Sequence, residues 1–265
     1  MTPTTTSLSL PAPQAPAGIS ADEWALRLDL AGLYRVVHRL GWCDLIFNHI
    51  TARIPGPERH FLINPFGLRY DEVTASNLLR IDLQGRAIRP SPWPVNAAGF
   101  VVHAAVHQYR NDAHCVMHTH TRAGVAVACK AEGLSHDSFY GAMLTDEVAY
   151  HDFEGITVHE EESARLAQSL GPRNNLILRS HGLLACGPDI ASCFFQMWLL
   201  QRACEAQCDA QALAGPHSLL TEAVRTRTRE DRHRSLVDPQ LARTVLDALL
   251  REVQATLTPA TDYRQ

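Results

Sequence analysis

Short apolar runs of strand length alternate with amphipathic helical stretches along this chain. That alternation predicts one α/β domain with helices on both faces of a sheet. Three observations carry the expectation: the strand-like runs lie between Gly- and Pro-containing turns, helix-period segments flank them, and no internal repeat breaks the pattern.

Residues 1 to 19 are rich in Thr, Ser, Pro and Ala and read as a disordered lead, so the single domain is expected over 20–265. Ser20 with Glu23 three residues later has the form of a capping box. Trp24 to Leu40 then spaces Leu26, Leu28, Leu30, Leu33, Val36, Val37 and Leu40 as an amphipathic helix, ended by Gly41. Strand-like runs follow at Leu45-Ile46-Phe47, Ile50 to Ile54 and Phe61-Leu62-Ile63, separated by turns at Pro55-Gly56-Pro57 and Pro65-Phe66-Gly67. Ile81-Asp82-Leu83 connects through Gln84-Gly85-Arg86 to Ala87-Ile88 as a hairpin. Asn96 to Arg110 reads as a helix, Cys115 to Thr119 as a strand, and Gly124 to Ala131 as a helix. Val148 to Tyr150 and Ile156 to Val158 are further strand candidates, and Glu160 to Leu170 is a helix closed by Gly171-Pro172. Asn175 to Arg179 and Leu183 to Cys186 are the last strands. A long helix runs from Ile190 to about Ala214 behind Asp189 as N-cap, and Leu241 to Leu257 is a final amphipathic helix. The charged run Arg225 to Arg234 between them reads as a solvated surface segment.

Composition removes several function classes. Lys+Arg 24 against Asp+Glu 28 gives a net charge of −4, and no basic cluster follows a phosphate backbone, so no nucleic-acid partner is expected. No stretch approaches the ~18 apolar residues of a membrane span. The first 19 residues have neither a positive start nor a sustained apolar core, which points to a cytoplasmic protein. The seven Cys read as reduced thiols, with Cys204 and Cys208 packing on a helix. Histidine is the anomaly, at 14 copies with several clustered.

The sharpest cluster is His118-Thr119-His120, directly after Cys115-Val116-Met117. Strand side chains alternate, so residues two apart leave the strand end on one side, where both imidazoles can grip one divalent ion. His181 follows the apolar strand Leu176-Ile177-Leu178 and precedes Gly182, so it too sits where a strand meets a tight turn. Three strand-end histidines make a metal site. A GxSxG elbow, a Walker A loop and a GxG turn are absent, which leaves hydrolase triads and nucleotide folds without their signatures. An amidohydrolase also uses HxH at a strand end, but near the N-terminus of a barrel.

Six blocks occur in order: Phe47 to Arg53 (FNHITAR), Ile63 to Leu68 (INPFGL), Val95 to Phe100 (VNAAGF), Val116 to Thr121 (VMHTHT), Glu147 to Asp152 (EVAYHD) and Leu178 to Gly182 (LRSHG). Together they closely resemble the class II aldolase/adducin family, in its adducin-like branch, from about residue 25 to 215. The resemblance implies a three-layer α/β/α fold around a mainly antiparallel, nine-stranded sheet, assembled as a homotetramer with the site near a subunit interface. It also implies one divalent metal ion per chain on His118, His120 and His181, with a neighbouring subunit's tyrosine as acid near the position of Tyr140. Zinc is the leading expectation, although three imidazoles suit Fe, Mn or Co equally.

Departures from the family pattern shape the expected chemistry. Sugar-phosphate aldolases of this family carry a Glu base at the position of Gly99, and glycine can neither abstract a proton nor bind a metal. Their phosphate pocket corresponds here to Phe66, Ala97 and Ala98, with only Asn48 and Gly67 kept. A phosphate dianion against those residues would leave its oxygens unpaired, so the substrate expected is a non-phosphorylated hydroxy- or 2-oxo-carboxylate. His103 and His107 lie on one face of the helix after Gly99, and His103 is a candidate acid/base. Arg69 is placed to clamp a carboxylate, and Asn48 and Asn96 offer oxygen-binding amides at turns. Glu147, His151 and Asp152 read as structural. Adducins add a neck and a basic tail that have no counterpart in these 265 residues. The expected activity is therefore that of a metal-dependent lyase, by aldol cleavage or decarboxylation. A non-haem iron oxygenase and a non-catalytic, adducin-like scaffold are the alternatives.

Overall fold

The computed structural model describes residues 13–156 and 161–265. In chain order the elements are α1 (Ala21–Arg39), β1 (His49–Arg53), β2 (Phe61–Ile63), a 3-10 turn (Tyr70–Glu72), β3 (Leu79–Ile81), α2 (Ala97–Tyr109), β4 (Cys115–Thr119), α3 (Arg122–Ala128), α4 (Phe139–Met143), β5 (Val148–His151), α5 (Glu161–Leu170), β6 (Asn175–Leu178), β7 (Gly182–Gly187), α6 (Ile190–Ala212), α7 (Glu222–Ser235) and α8 (Pro239–Gln254). The strands form one sheet in the order β3-β2-β1-β4-β7-β6-β5, antiparallel at every pairing except β5 with β6. The mainly antiparallel sheet is as expected, with seven strands among the described residues where nine were anticipated.

Alternation along the strands builds the three layers. Ile50 and Ala52 of β1, Cys115 and Met117 of β4 and Leu183 and Ala185 of β7 point into one core, closed by α1, α6 and α8. Val116 of β4, Leu184 and Cys186 of β7 and Leu176 of β6 point into the other, closed by Val102, Ala105 and Val106 of α2 and Leu166 and Leu170 of α5. The long helix α6 is apolar over much of its surface because α3 and α8 cover the sides that the sheet leaves open.

Local signals hold where they are strongest. Ser20 accepts from the Glu23 amide at the start of α1, although the Glu23 carboxylate pairs with Arg27 and Arg80 and does not close the expected capping box. Asp189 accepts from the Ser192 amide at the start of α6. Three expectations change. Leu45-Ile46-Phe47 is a turn: Leu45 has φ +49° and is exposed, and the Phe47 amide closes onto the Asp44 carbonyl. The left-handed φ at Leu45 breaks the extended backbone a ladder needs, and the turn brings Asp44 to the end of the sheet. The charged run is helical within α7 and lies on the surface as expected, except at Arg232, which is buried on Gln196 at 2.8 Å and Glu147 at 3.5 Å and docks the helix by ion pairing. The third change falls on the lead: residues 1–12 lie outside the described residues, while Trp24 Nε1 donates to the Pro13 carbonyl and Ile19 packs on the core. The strand candidate Ile156 to Val158 falls largely outside the described residues.

Candidate metal centre

The three histidines of the motif reading converge at the edge where β4 ends and β7 begins. His118 is the fourth residue of β4, His120 lies just beyond its end, and His181 closes the three-residue link from β6 to β7. Two backbone features bring the third in. Ser180 takes φ +55°, which turns the chain sharply. Gly182 allows β7 to pass so close to the Thr119 carbonyl that a Cβ has no room. His118 Nε2 then lies 2.7 Å from His120 Nε2, which lies 3.0 Å from His181 Nε2. One donor atom from each of the three falls within 4.8 Å of the others.

Hydrogen-bond direction shows that this set fits a cation. His118 Nδ1 is 2.9 Å from the Leu183 carbonyl, an acceptor only, so Nδ1 carries the proton and Nε2 a lone pair. His120 Nδ1 is 3.1 Å from a carboxylate oxygen of Asp44, which fixes the same tautomer. Two lone pairs facing each other at 2.7 Å repel unless a positive centre lies between them. Anchoring the outer ring nitrogen to a carboxylate or carbonyl is how proteins orient metal-binding imidazoles. Burial holds His118 well below the ordinary histidine range, with the neighbouring imidazoles adding to the effect, and lowers His181 to about 4. Both therefore present neutral, ligating rings at pH 7.

A second histidine array lies directly against the first. His49 of β1 pairs across the ladder with His118, their rings 5.3 Å apart. His49 Nδ1 is 2.7 Å from His103 Nε2, His103 Nδ1 is 2.7 Å from Thr51 Oγ1, and Thr51 Oγ1 is 2.7 Å from His107 Nε2. His107 Nδ1 ends the chain at the Ala113 carbonyl, 3.3 Å away. All four residues are buried. Burial keeps His49 and His103 well below their ordinary range and lowers His107 to about 3.

The other predicted site residues separate. Asn48, one residue from His49, is buried with neither its amide nitrogen nor its oxygen paired. Asn96 caps α2, accepting from the Gly99 amide at 3.1 Å. Gly67 has φ +104° and faces the Trp93 ring, the turn geometry that glycine permits. Arg69 is exposed and bound to Asp71 and Glu72, so it does not reach the histidines. Tyr140 stands edge-on to Trp198, its ring under Arg202, and makes no contact with the trio among the described residues. Glu147 pairs with Arg232 and His233, and His151 lies between Glu162 and Ser169, both structural as expected. Sequence reading missed Asp44 and His49. The period-2 placement of His49 and Thr51 on one face of β1, matched by His103 and His107 four apart on α2, was the available signal.

The buried neutral imidazoles make stability sensitive to mild acid. His107 titrates near 6.5 when unfolded and at about 3 when folded, so between those values the unfolded chain binds the extra proton. Stability is then full above 6.5 and falls as pH drops through the window, by up to about 1.4 kcal/mol per pH unit for each such group. The urea midpoint should fall steadily from pH 7 to pH 5, before carboxylates titrate. A flat midpoint over that range would contradict the assignment.

Fold and site together define a three-layer α/β protein that presents three imidazoles at the strand ends. The chain belongs to the family of the class II aldolase and adducin N-terminal domain, whose model matches residues 28–208. A Pseudomonas aeruginosa protein named provisionally as a class 2 aldolase is 46% identical over 232 residues, 83% of this chain and 89% of that one. Rat alpha-adducin is 45% identical over 196 residues, 73% of this chain but 26% of its own length. Among solved structures, an aldolase II superfamily protein from Pseudomonas syringae superposes with a TM-score of 0.87 at 39% identity, covering 94% of this chain and 98% of that one. The L-fuculose 1-phosphate aldolase of Glaciozyma antarctica superposes with a TM-score of 0.80 at 25% identity, covering 96% and 97%. No helix among the described residues is long and apolar enough to cross a membrane.

Proposed function

We propose that this chain is a metal-dependent lyase acting on a non-phosphorylated hydroxy- or 2-oxo-carboxylate, by aldol cleavage or decarboxylation. The observation that carries the reading is the convergence of three Nε2 atoms, two of them held as lone pairs by Leu183 and Asp44. His118, His120 and His181 would hold one divalent ion, zinc first and Fe, Mn or Co in its place, and that ion supplies a Lewis acid for a substrate oxygen. The chain's own residues do the rest. Three protein ligands leave a coordination position for substrate. Asn48 brings a buried, unpaired amide to the neighbourhood, able to donate to a carboxylate or carbonyl oxygen. Arg69, committed to Asp71 and Glu72, supplies a guanidinium neither to a phosphate nor to the substrate carboxylate it was expected to clamp.

The chain works in the cytoplasm as a homotetramer on this reading, and Tyr140 enters the site of a neighbouring subunit. A test follows directly: purified protein is loaded with zinc, sized by light scattering, and screened against 2-oxo acids, hydroxy-carboxylates and sugar phosphates. Turnover of an unphosphorylated acid with kcat/KM of about 10⁴ M⁻¹s⁻¹ or above supports the reading. Efficient cleavage of a sugar phosphate instead overturns the substrate class. The similarity to adducin favours a second reading, a non-catalytic binding module. Inactivity of the metal-loaded protein across the whole screen would overturn the lyase reading.

A further inference from the structure

We propose that His49 Nε2 is the proton acceptor of this site, standing where position 99 offers no side chain, and that His103, Thr51 and His107 form the buried chain that fixes its tautomer. The inference rests on the lyase reading above and deepens it.

Direction propagates along the array from one end. The Ala113 carbonyl can only accept, so His107 Nδ1 donates and His107 Nε2 is a lone pair. Thr51 must give its hydroxyl proton to that lone pair, which leaves Thr51 Oγ1 to accept from His103 Nδ1. His103 Nε2 is then a lone pair and takes the Nδ1 proton of His49. At the far end His49 Nε2 is left unprotonated and has no partner among the described residues. Every other ring nitrogen and the hydroxyl of the array are paired. The array therefore delivers one acceptor nitrogen, and its ring stands beside His118 of the metal centre.

Gly99 explains why the ring can be there. A Cβ at position 99 would collide with Cδ2 and Nε2 of His49 and crowd Asn96 Nδ2 at 2.9 Å. The missing side chain and the histidine are thus one exchange: a carboxylate at 99 and this position of His49 exclude each other. His103, the acid/base candidate from sequence, lies one step behind and acts through His49 as a positioning residue.

With a 2-oxo acid that carries an α-hydrogen, His49 Nε2 takes that proton. The C–H electron pair becomes the C=C bond of the enolate, and the carbonyl π pair moves to oxygen. The imidazolium still donates Nδ1–H to His103, and returning a proton to the same carbon restores acid and enzyme. In aldol cleavage the same nitrogen takes the hydroxyl proton; the O–H pair becomes the new C=O bond and the C–C pair becomes the enolate. No further reactant is needed.

Pyruvate in D2O is the probe, with loss of its methyl proton signal followed by NMR. The zinc-loaded wild type is expected to exchange. His49→Asn keeps an amide N–H to donate to His103, so it should keep its zinc by plasma emission while exchange falls about 10²- to 10⁴-fold. Exchange at the wild-type rate in zinc-loaded His49→Asn overturns the proposal. Should that variant fail to fold, Gly99→Ala decides: the added methyl displaces the ring, so exchange should fall with zinc intact, and an unchanged rate overturns the proposal. Thr51→Val should lower kcat for exchange at an unchanged KM, with Thr51→Ser restoring it, as a positioning role requires. Independently of turnover, nitrogen NMR of histidine-labelled protein should find His49 in the Nδ1–H form, and the Nε2–H form overturns the proposal. A zinc-loaded wild type that exchanges no pyruvate proton overturns this proposal, while the lyase reading falls only with inactivity across the screen above, so the two failures are distinct.

Discussion

His118→Ala should strip the chain of most of its bound divalent ion and of its activity together. The wild type, loaded and desalted, should hold about one ion per chain, as three convergent imidazoles dictate. His118 contributes more than one of three equal ligands, because its outer nitrogen is tied to Leu183 inside the sheet while His120 and His181 are only partly buried. Two partly exposed imidazoles bind an ion far more weakly, and the remaining pair would hold water in competition with substrate. Asp44→Asn sets the scale for a milder loss, since weakening the partner of a ligating histidine costs about 10- to 100-fold in affinity. Plasma emission on the three proteins checks both expectations. Full retention of metal by His118→Ala would sink the ligand assignment.

Gly182→Ala should cost both stability and metal affinity, although it adds only one methyl group. The new carbon would press on the Thr119 carbonyl oxygen, which is backbone within the β4–β7 ladder, and would stand 3.1 Å from His120 Cδ2. A side chain could rotate away; a carbonyl paired in a sheet cannot without parting the strands. Overpacking of this kind costs about 1–3 kcal/mol. Its direction matters as much as its size, because parting β7 from β4 carries His181 away from His120. The urea midpoint and the zinc affinity should therefore fall together. Gly41→Ala, at a glycine whose added Cβ would meet nothing within 4 Å among the described residues, provides the control, where only the φ of +71° opposes a side chain. Wild-type zinc affinity in Gly182→Ala would show that the close approach does not position the centre.

Much of the centre was legible because its determinants are local. His118 and His120 share a side by strand alternation, and the expectation needed only the strand Cys115 to Thr119, which the structure reproduces to the residue. His181 was found from an apolar strand and a glycine, both adjacent in sequence. The identity of the supporting groups was not legible. Asp44 reaches His120 across 76 positions, from a turn that apolar composition disguised as a strand. Arg69 stands next to a suggestive turn, yet two neighbouring carboxylates claim it first.

Period, capping and turn chemistry act over a few residues, and they made most of the long elements and the three convergent imidazoles readable from the sequence by itself, but not the turn at Leu45–Phe47 or the helices α4 and α7. Only the tertiary structure decided what stands around the imidazoles. His49 faces His118 because β1 pairs with β4 in one register, and His103 meets His49 across 54 positions because α2 packs over that face of the sheet. A one-residue slip of that ladder would turn His49 and Thr51 into the opposite core. Register and packing are collective properties of the whole sheet, set by the two apolar layers that close on it, and no local pattern in the chain encodes them.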